Sequence, residues 1–289
     1  MSAIIQQGVP APDAAQICNG QRAEWAVLAP HWRIADLGTD PPPIHRRLLA
    51  MAEADIGQRT VDLACGTGFG ALLRLLGADG TYLGLDISPQ MEEIGSRWAQ
   101  QQGLHGATVR AIGAETESGM APESFNLATC LFGLMYMPEP VAALRALHTA
   151  LVPGGRIAVG TWSSPERCPF LGVHLAIVHR HVAHPMLALT GPHPFAIPTP
   201  SALADLLAEA GFVAIQTAIE QRPIEPLSPE GYWDYMQATG WPLAFLPPLS
   251  ADLLGALHED VTATLTAMFP DGQVRLGGEA NLAVAVRPA

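Results

Sequence analysis
The sequence predicts an α/β fold, a doubly wound, mostly parallel sheet with helices on both faces. Three observations carry that expectation. Four successive strand–helix units run between Thr60 and Trp162, with short apolar runs alternating with amphipathic stretches of helix length. The first apolar run enters a glycine turn, Val61-Asp62-Leu63-Ala64-Cys65-Gly66-Thr67-Gly68-Phe69-Gly70, and the second ends in a lone carboxylate, Tyr82-Leu83-Gly84-Leu85-Asp86. The run Phe125–Phe132 is apolar in the manner of a strand covered on both faces.

Each element follows from local chemistry. Residues 1–14 are rich in Gln, Pro and Ala and read as a frayed start, whereas Ile17, Trp25, Val27, Leu28 and Trp32 are spaced for one or two helices over 15–35. Pro41-Pro42-Pro43 closes that region, and its later prolines suit the first turn of a helix whose apolar face is Ile44, Leu48, Leu49 and Met51. Thr60–Ala64 is the first strand, followed by a helix over Phe69–Leu76 that ends at Gly77. Tyr82–Asp86 is the second strand, and Ser88 is placed to cap a helix reaching Gln102. Ala107–Ile112 and Phe125–Phe132 are the third and fourth strands. A helix over Glu139–Leu151 is stopped by Pro153-Gly154-Gly155, and Arg156–Trp162 is the fifth strand. Ser201–Ala210 reads as a capped helix, Phe212–Ile219 as a strand, Ala251–Met268 as a helix and Asn281–Val286 as the last strand.

Two blocks break this rhythm. Residues 163–200 crowd prolines and histidines together, and 221–272 set Tyr232, Trp233, Tyr235, Trp241 and Phe245 among prolines. Both are expected as insertions at the strand-end side, where open α/β sheets place their ligands. The chain of 289 residues then reads as a single domain: 1–43 an N-terminal helical segment, 44–162 a ligand-binding core, 163–200 and 221–272 cap insertions, and 201–220 with 273–289 the rest of the sheet. No internal repeat is visible.

Composition excludes several classes. Net charge is −12 and only 15% of residues are charged, with no basic patch suited to a phosphate backbone, so nucleic acid is not an expected partner. No apolar run is long enough to span a membrane, and the start, Met1-Ser2-Ala3-Ile4-Ile5-Gln6-Gln7, lacks the basic and apolar segments of a signal peptide, so a cytoplasmic protein is expected. Cys18, Cys65, Cys130 and Cys168 are scattered without metal or redox spacing and read as reduced, buried thiols.

The glycine turn and its neighbouring acids narrow the ligand. The spacing of the third glycine is wrong for a nicotinamide dinucleotide, and Asp62 stands inside the strand just before the turn. A pyrophosphate at a helix N-terminus prefers neutral or cationic surroundings. An acid there suits a ligand bearing an ammonium and a sulfonium, since opposite charges attract most where water is sparse. S-adenosylmethionine is such a ligand. Asp62 would help hold its amino-acid end, and Asp86 would accept from both ribose hydroxyls.

With these residues in place, the chain resembles the class I S-adenosylmethionine-dependent methyltransferases, and is similar to their small-molecule branch that includes the ubiquinone/menaquinone-biosynthesis enzymes. The resemblance covers nearly the whole chain. Asn19-Gly20 with Trp25 resembles the family's N-terminal lid, VDLACGTG at 61–68 its first motif and GLDIS at 84–88 its second. FGLMYMPEPVAALRALHTALVPGGRIAVGTW at 132–162 resembles the fourth strand, acceptor-side loop, helix and fifth strand, and GPHPFAIPTPSALADLLAEAGF at 191–212 the approach to the sixth. It implies a Rossmann-like sheet of seven strands with a final antiparallel strand. It also implies S-adenosyl-L-methionine as cofactor, S-adenosyl-L-homocysteine as product and a small-molecule acceptor. Cofactor-facing positions carried onto these motifs are Trp25, Asp62, Ala64, Cys65, Gly66, Gly68, Asp86, Ile87, Met91 and Leu131. Three departures stand out. Ala64 replaces the first glycine of the turn, Phe125-Asn126 stands where Phe-Asp is usual, and Gly113-Ala114-Glu115 follows the third strand. Either Ala114 replaces the acid that touches the adenine amine, or Glu115 supplies it from one position on.

The acceptor side is less determined. A general base is needed only for a weakly acidic hydroxyl or a carbon acid. Tyr136, just after the fourth strand, either orients a substrate hydroxyl or lines the wall, and Met135 and Met137 read as wall. His31 in the lid and His174 in the first insertion are candidate bases; His179, His181, His184 and His193 crowd nearby, and the bland reading of all of them is structural. Their spacing matches no strong zinc pattern, and no metal is expected. The aromatic residues of the second insertion read as a greasy cap or as a helix-packing stripe. Together they point to an apolar, aromatic, terpenoid or polyketide-like acceptor. Two other readings stay open: an enzyme that uses the bound sulfonium electrostatically, as for a cyclisation, and a non-catalytic cofactor-binding protein. The sequence does not decide between monomer and homodimer.

Overall fold
The computed structural model describes residues 13–31, 43–67, 79–112, 119–184, 189–239 and 249–289. The sheet strands are β1 (Arg59–Leu63), β2 (Thr81–Asp86), β3 (Ala107–Ala111), β4 (Phe125–Leu131), β5 (Leu151–Trp162), β6 (Val213–Arg222) and β7 (Gly278–Val286). They form one seven-stranded sheet in the order β3-β2-β1-β4-β5-β7-β6. β1 pairs in parallel with both β2 and β4, and β7 runs antiparallel between β5 and β6. The strand order reverses at β1 and β4, which is where a doubly wound sheet opens a crevice at its carboxyl ends.

Helices cover both faces because alternate strand residues are apolar on each side. On one face α4 (Pro140–Ala150) and α6 (Pro200–Glu209) bring Leu144, Leu147, Leu203 and Leu207 against Val61, Leu85, Ala128 and Ile157. On the other, α2 (Pro43–Met51) sets Ile44, Leu48 and Leu49 against Leu127, Ala158 and Leu282. The helix α3 (Pro89–Gln101) packs on β2 and β3 and is capped by Ser88, whose Oγ accepts the Met91 N–H at 3.4 Å. The N-terminal helix α1 (Ala14–Leu28) opens with a capping box between Asp13 and Gln16.

The two irregular blocks contain helices. The block 163–200 holds α5 (Pro169–His181), and 221–272 holds α7 (Pro229–Thr239) and α8 (Ala251–Met268). Phe170, Leu175, Tyr232, Met236, Leu257 and Val261 join them into an apolar cluster of their own, reached from the sheet side by Trp25 and Trp162. Proline and histidine obscured α5 in the sequence; Pro169 sits at its first turn, where a missing N–H costs nothing.

Several boundaries differ from expectation. β5 begins at Leu151, directly after α4, because Leu151 already pairs with Phe125; the Pro153-Gly154-Gly155 segment is a bulge within the strand, the register jumping to Leu127↔Arg156. β6 continues to Arg222 and β7 starts at Gly278, since those two residues pair across the edge of the sheet. α1 ends at Leu28, and Trp32 and the expected helix over 69–76 lie outside the described residues.

One close approach holds the first turn against the fourth strand. Gly133 has ordinary backbone angles, but a Cβ there would overlap the methyl of Ala64. Gly133→Ala is therefore expected to lower stability by about 1–3 kcal/mol through overpacking, read as a lower urea midpoint at unchanged slope.

Candidate functional site
The carboxyl end of β1 carries a buried polar network. Asp62 stands opposite Thr129 on β4 and Gly84 on β2. Thr129 Oγ1 donates to Asp62 Oδ1 at 2.6 Å, and the Tyr82 hydroxyl donates to Oδ2 at 2.8 Å. The tyrosine reaches it because Gly84 has no side chain: a Cβ there would lie 2.9 Å from the Tyr82 ring and 2.8 Å from Cys65 Sγ. Burial raises the Asp62 pKa to about 7, opposed by its two hydroxyl donors and reinforced by the neighbouring charge of Asp86.

Asp86 ends β2 beside it. Its Oδ2 accepts the Gly66 N–H at 2.8 Å and its Oδ1 the Ser88 N–H at 3.0 Å, so the carboxylate braces the turn after β1. Burial raises its pKa, and the backbone donors of Ser88, Gly66 and Ile87 oppose the shift. In that turn Gly66 has φ +57° and so does Ala64, a left-handed conformation that disfavours a side chain by about 1–2 kcal/mol. The family's glycine at that position would relax it. Cys65 and Cys130 line the same corner; burial pushes both thiols up, Cys130 to about 12, so neither is a thiolate near neutral pH. Met91 is buried at the start of α3, and Leu131 ends β4.

α1 crosses above these tips. Arg22 donates to the carbonyls of Ile87 at 3.3 Å and Ile112 at 3.4 Å, beyond the ends of β2 and β3. On the far side of β1, Gln21 donates to the Tyr136 carbonyl at 2.6 Å, and Trp25 meets the Tyr136 ring edge-on with centroids 5.3 Å apart. One helix thus bridges the point where the strand order reverses. Glu24 on α1 is half-buried, and burial raises its pKa.

The β4 and β5 tips form an aromatic wall. Phe132, held at φ +61° with its N–H on the Gly160 carbonyl at 2.8 Å, stacks on Trp162 with centroids 4.1 Å apart. Backbone strain of this kind clusters at functional sites. Tyr136 is buried in the short 3-10 turn Leu134–Tyr136.

The other sequence candidates fall in different places. His31 is exposed just beyond α1. His174 is fully buried on α5, between the rings of Tyr232 (5.9 Å) and Trp233 (6.3 Å). Neither of its nitrogens has a hydrogen-bond partner, and burial lowers its pKa to about 4. His181 instead pairs with Asp260 at 2.7 Å. Among the described residues no group of three or more His, Cys, Asp or Glu could hold a metal ion. Gly68, Ala114 and Glu115 lie outside the described residues. Sequence reading missed Gln21, Arg22, Tyr82 and Thr129; only Thr129, a hydroxyl inside an apolar strand, carried a visible signal.

The corner fits a cationic nucleoside. Two buried carboxylates sit side by side, and among the described residues no basic side chain lies within ion-pair distance of either. Their mutual repulsion is relieved by a positive ligand.

The buried His174 ring titrates in the folded state about where stability data can see it. Its unfolded pKa is near 6.5 and its folded pKa about 4, so the unfolded chain binds the extra proton between those values and stability falls as pH drops through that window. His174→Phe is expected to raise the melting temperature and to flatten this fall, whose limiting slope is about 1.4 kcal/mol per pH unit. Urea melts across that pH range check it.

Comparison with known proteins identifies the family. A model of the methyltransferase domain matches residues 60–155. The chain is 30% identical over 254 residues to the nocamycin O-methyltransferase of Saccharothrix syringae, covering 79% of this chain and 88% of that protein. It is 35% identical over 116 residues to a ubiquinone/menaquinone biosynthesis C-methyltransferase of Photorhabdus laumondii, covering 39% of this chain and 46% of that relative, about half its length. The crystal structure of the 4+2 cyclase SpnF shares the fold, with TM-score 0.55 and 19% identity over 98% of this chain and 100% of that one. The chain belongs to the class I S-adenosylmethionine-dependent methyltransferases.

Proposed function
We propose that this enzyme methylates a small, apolar metabolite with an aromatic or polyketide-like body, held between the strand tips and the helical layer of α5, α7 and α8. The observation that carries this reading is the aromatic lining on the acceptor side. Phe132 and Trp162 stack at the β4 and β5 tips, Trp25 and Tyr136 close the α1 side, and the helical layer beyond is built around Phe170 and Tyr232. The nocamycin relative, named for O-methylation of a secondary metabolite, supports the same class.

When bound, the cofactor supplies a methyl group on an electrophilic sulfonium. The chain's own residues do the rest. Asp62 would hold the ammonium end, and Asp86, already fixed by Gly66 and Ser88, would accept from the ribose hydroxyls with its remaining lone pairs. The Ala64–Gly66 turn allows close approach of the backbone. α1 acts as the lid: with Gln21 and Arg22 tied to both sides of the crevice it excludes water, and it lifts to admit ligands. Tyr136 and Phe132 orient the acceptor for in-line attack, where positioning accounts for much of the acceleration. A base is required only for a weakly acidic acceptor, and His174 serves poorly, being neutral and enclosed among rings.

The test is product analysis with an acceptor panel. Apolar phenols and aryl acids are expected to yield S-adenosylhomocysteine and methylated product; turnover confined to small polar amines overturns the acceptor class, and a cyclised product without S-adenosylhomocysteine points to the sulfonium as an electrostatic element. Asp86→Ala is expected to weaken S-adenosylhomocysteine binding roughly tenfold or more with the fold intact, by calorimetry. The same titration is expected to show affinity falling as pH drops below about 7, because Asp62 takes up a proton there and ceases to attract the ammonium. Asp62→Asn removes that dependence.

A further inference from the structure
Arg222 is a cation placed at the acceptor side, and among the described residues it has no counter-ion. It is the last residue of β6 and pairs with Gly278, the first of β7, next to the carboxyl tip of β5, where Trp162 pairs with Ala280. Strand alternation separates it from the nearest buried acid. Gln221 and Glu279 share one face of the sheet edge, where Glu279 accepts from Gln221 at 2.8 Å and from Ser163 at 3.0 Å; Arg222 projects from the opposite face. Gly278, opposite it, lets Cys168 and Trp162 pack closely on that face, since a Cβ there would lie 3.1 Å from Cys168 Sγ and 3.5 Å from Trp162.

On that face the guanidinium lies over two rings, 5.7 Å from the centroid of Trp162 and 5.5 Å from that of Phe170. One of its N–H groups donates to the Tyr235 hydroxyl at 3.1 Å. Among the described residues no carboxylate lies within ion-pair distance of it. Trp162 also stacks on Phe132 at the β4 tip, and Phe170 touches Tyr232, which touches His174 one helical turn along α5. A row of aromatic contacts therefore runs from the strand tips into the helical layer, with one fixed positive charge in it. At its far end stands an enclosed imidazole whose two nitrogens have no partner.

We propose that Arg222 receives an ionised carboxylate of the acceptor, so that the substrates of this enzyme are aromatic acids. This rests on the reading of the acceptor side given above. A guanidinium clamped by two rings is pre-organised, and its planar fork matches a carboxylate in two parallel hydrogen bonds. In a chain of net charge −12 the general field repels anions, so a carboxylate is drawn only where a local cation is unneutralised. The aromatic surfaces on either side supply the contact for an aryl body.

The experiment uses the full chain saturated with S-adenosylhomocysteine. Benzoate and naphthoate are titrated against benzamide and naphthamide by calorimetry near neutral pH. The wild type is expected to prefer each carboxylate over its amide by roughly tenfold or more. Arg222→Gln removes the preference, while affinity for the amides and for S-adenosylhomocysteine is unchanged. Arg222→Lys, which keeps the charge without the fork, retains part of it and carries the test if the glutamine variant does not fold. Equal affinities in the wild type, no binding of either probe, or a preference that survives both substitutions overturns the proposal. Failure of S-adenosylhomocysteine to bind strikes instead at the cofactor assignment, so the two failures are distinguishable.

Discussion

Two carboxylates buried side by side, Asp62 at the end of β1 and Asp86 at the end of β2, are the constraint on which the rest of the site depends. Burying one such charge without a cation is costly, and burying two together is more so. The protein meets part of that cost with neutral donors. Tyr82 and Thr129 serve Asp62, and the amides of Gly66 and Ser88 serve Asp86. None of these neutralises a charge. The corner keeps a negative potential, which a cationic ligand or a proton on Asp62 relieves.

The backbone around the carboxylates is shaped to the same end. Gly84 lets the Tyr82 ring lie across β2 to reach Asp62, and Gly133 lets the β4 tip close on Ala64. Ala64 itself holds a left-handed conformation that a glycine would adopt at less cost. These contacts join the first turn, the second strand and the fourth strand into one closely packed corner. α1 completes it from above. Its donors end on carbonyls on both sides of the crevice, so the helix is tied to the strand tips by hydrogen bonds that need no particular side chain beneath.

Beyond that corner the chemistry changes character. The β4 and β5 tips present rings, and the helices of the two irregular blocks continue the aromatic contacts outward, with Arg222 over Trp162 and Phe170. His174 marks how far this layer departs from a simple apolar core. A phenylalanine would fill the space without two unmet hydrogen bonds, each costing about 1–3 kcal/mol. The corner at the β1 and β2 tips is thus built on buried carboxylates, and the helical layer on packed rings. They meet at Trp25, Tyr136 and Trp162.

Much of the core was legible before any coordinates. Apolar runs of strand length, a glycine turn between them and acids at their ends are local properties of the chain, and they determined the sheet, its first five strands and the places of Asp62 and Asp86. Local pattern failed where the partner was distant. Leu151 joined a strand because Phe125 lay opposite, and Arg222 remained in β6 because Gly278 faced it. α5 was hidden by its prolines and histidines until the contacts of α7 and α8 gave its apolar face something to bury. The donors to Asp62, the carbonyl ties of α1 and the stacking of Arg222 join residues far apart in the chain. Periodicity and motif speak only for neighbours within a few residues, so the sequence by itself determined the class of fold and of cofactor. Only tertiary packing decided which side chains serve them, because a buried hydrogen bond or ring contact exists only once distant segments are brought within a few ångströms of each other.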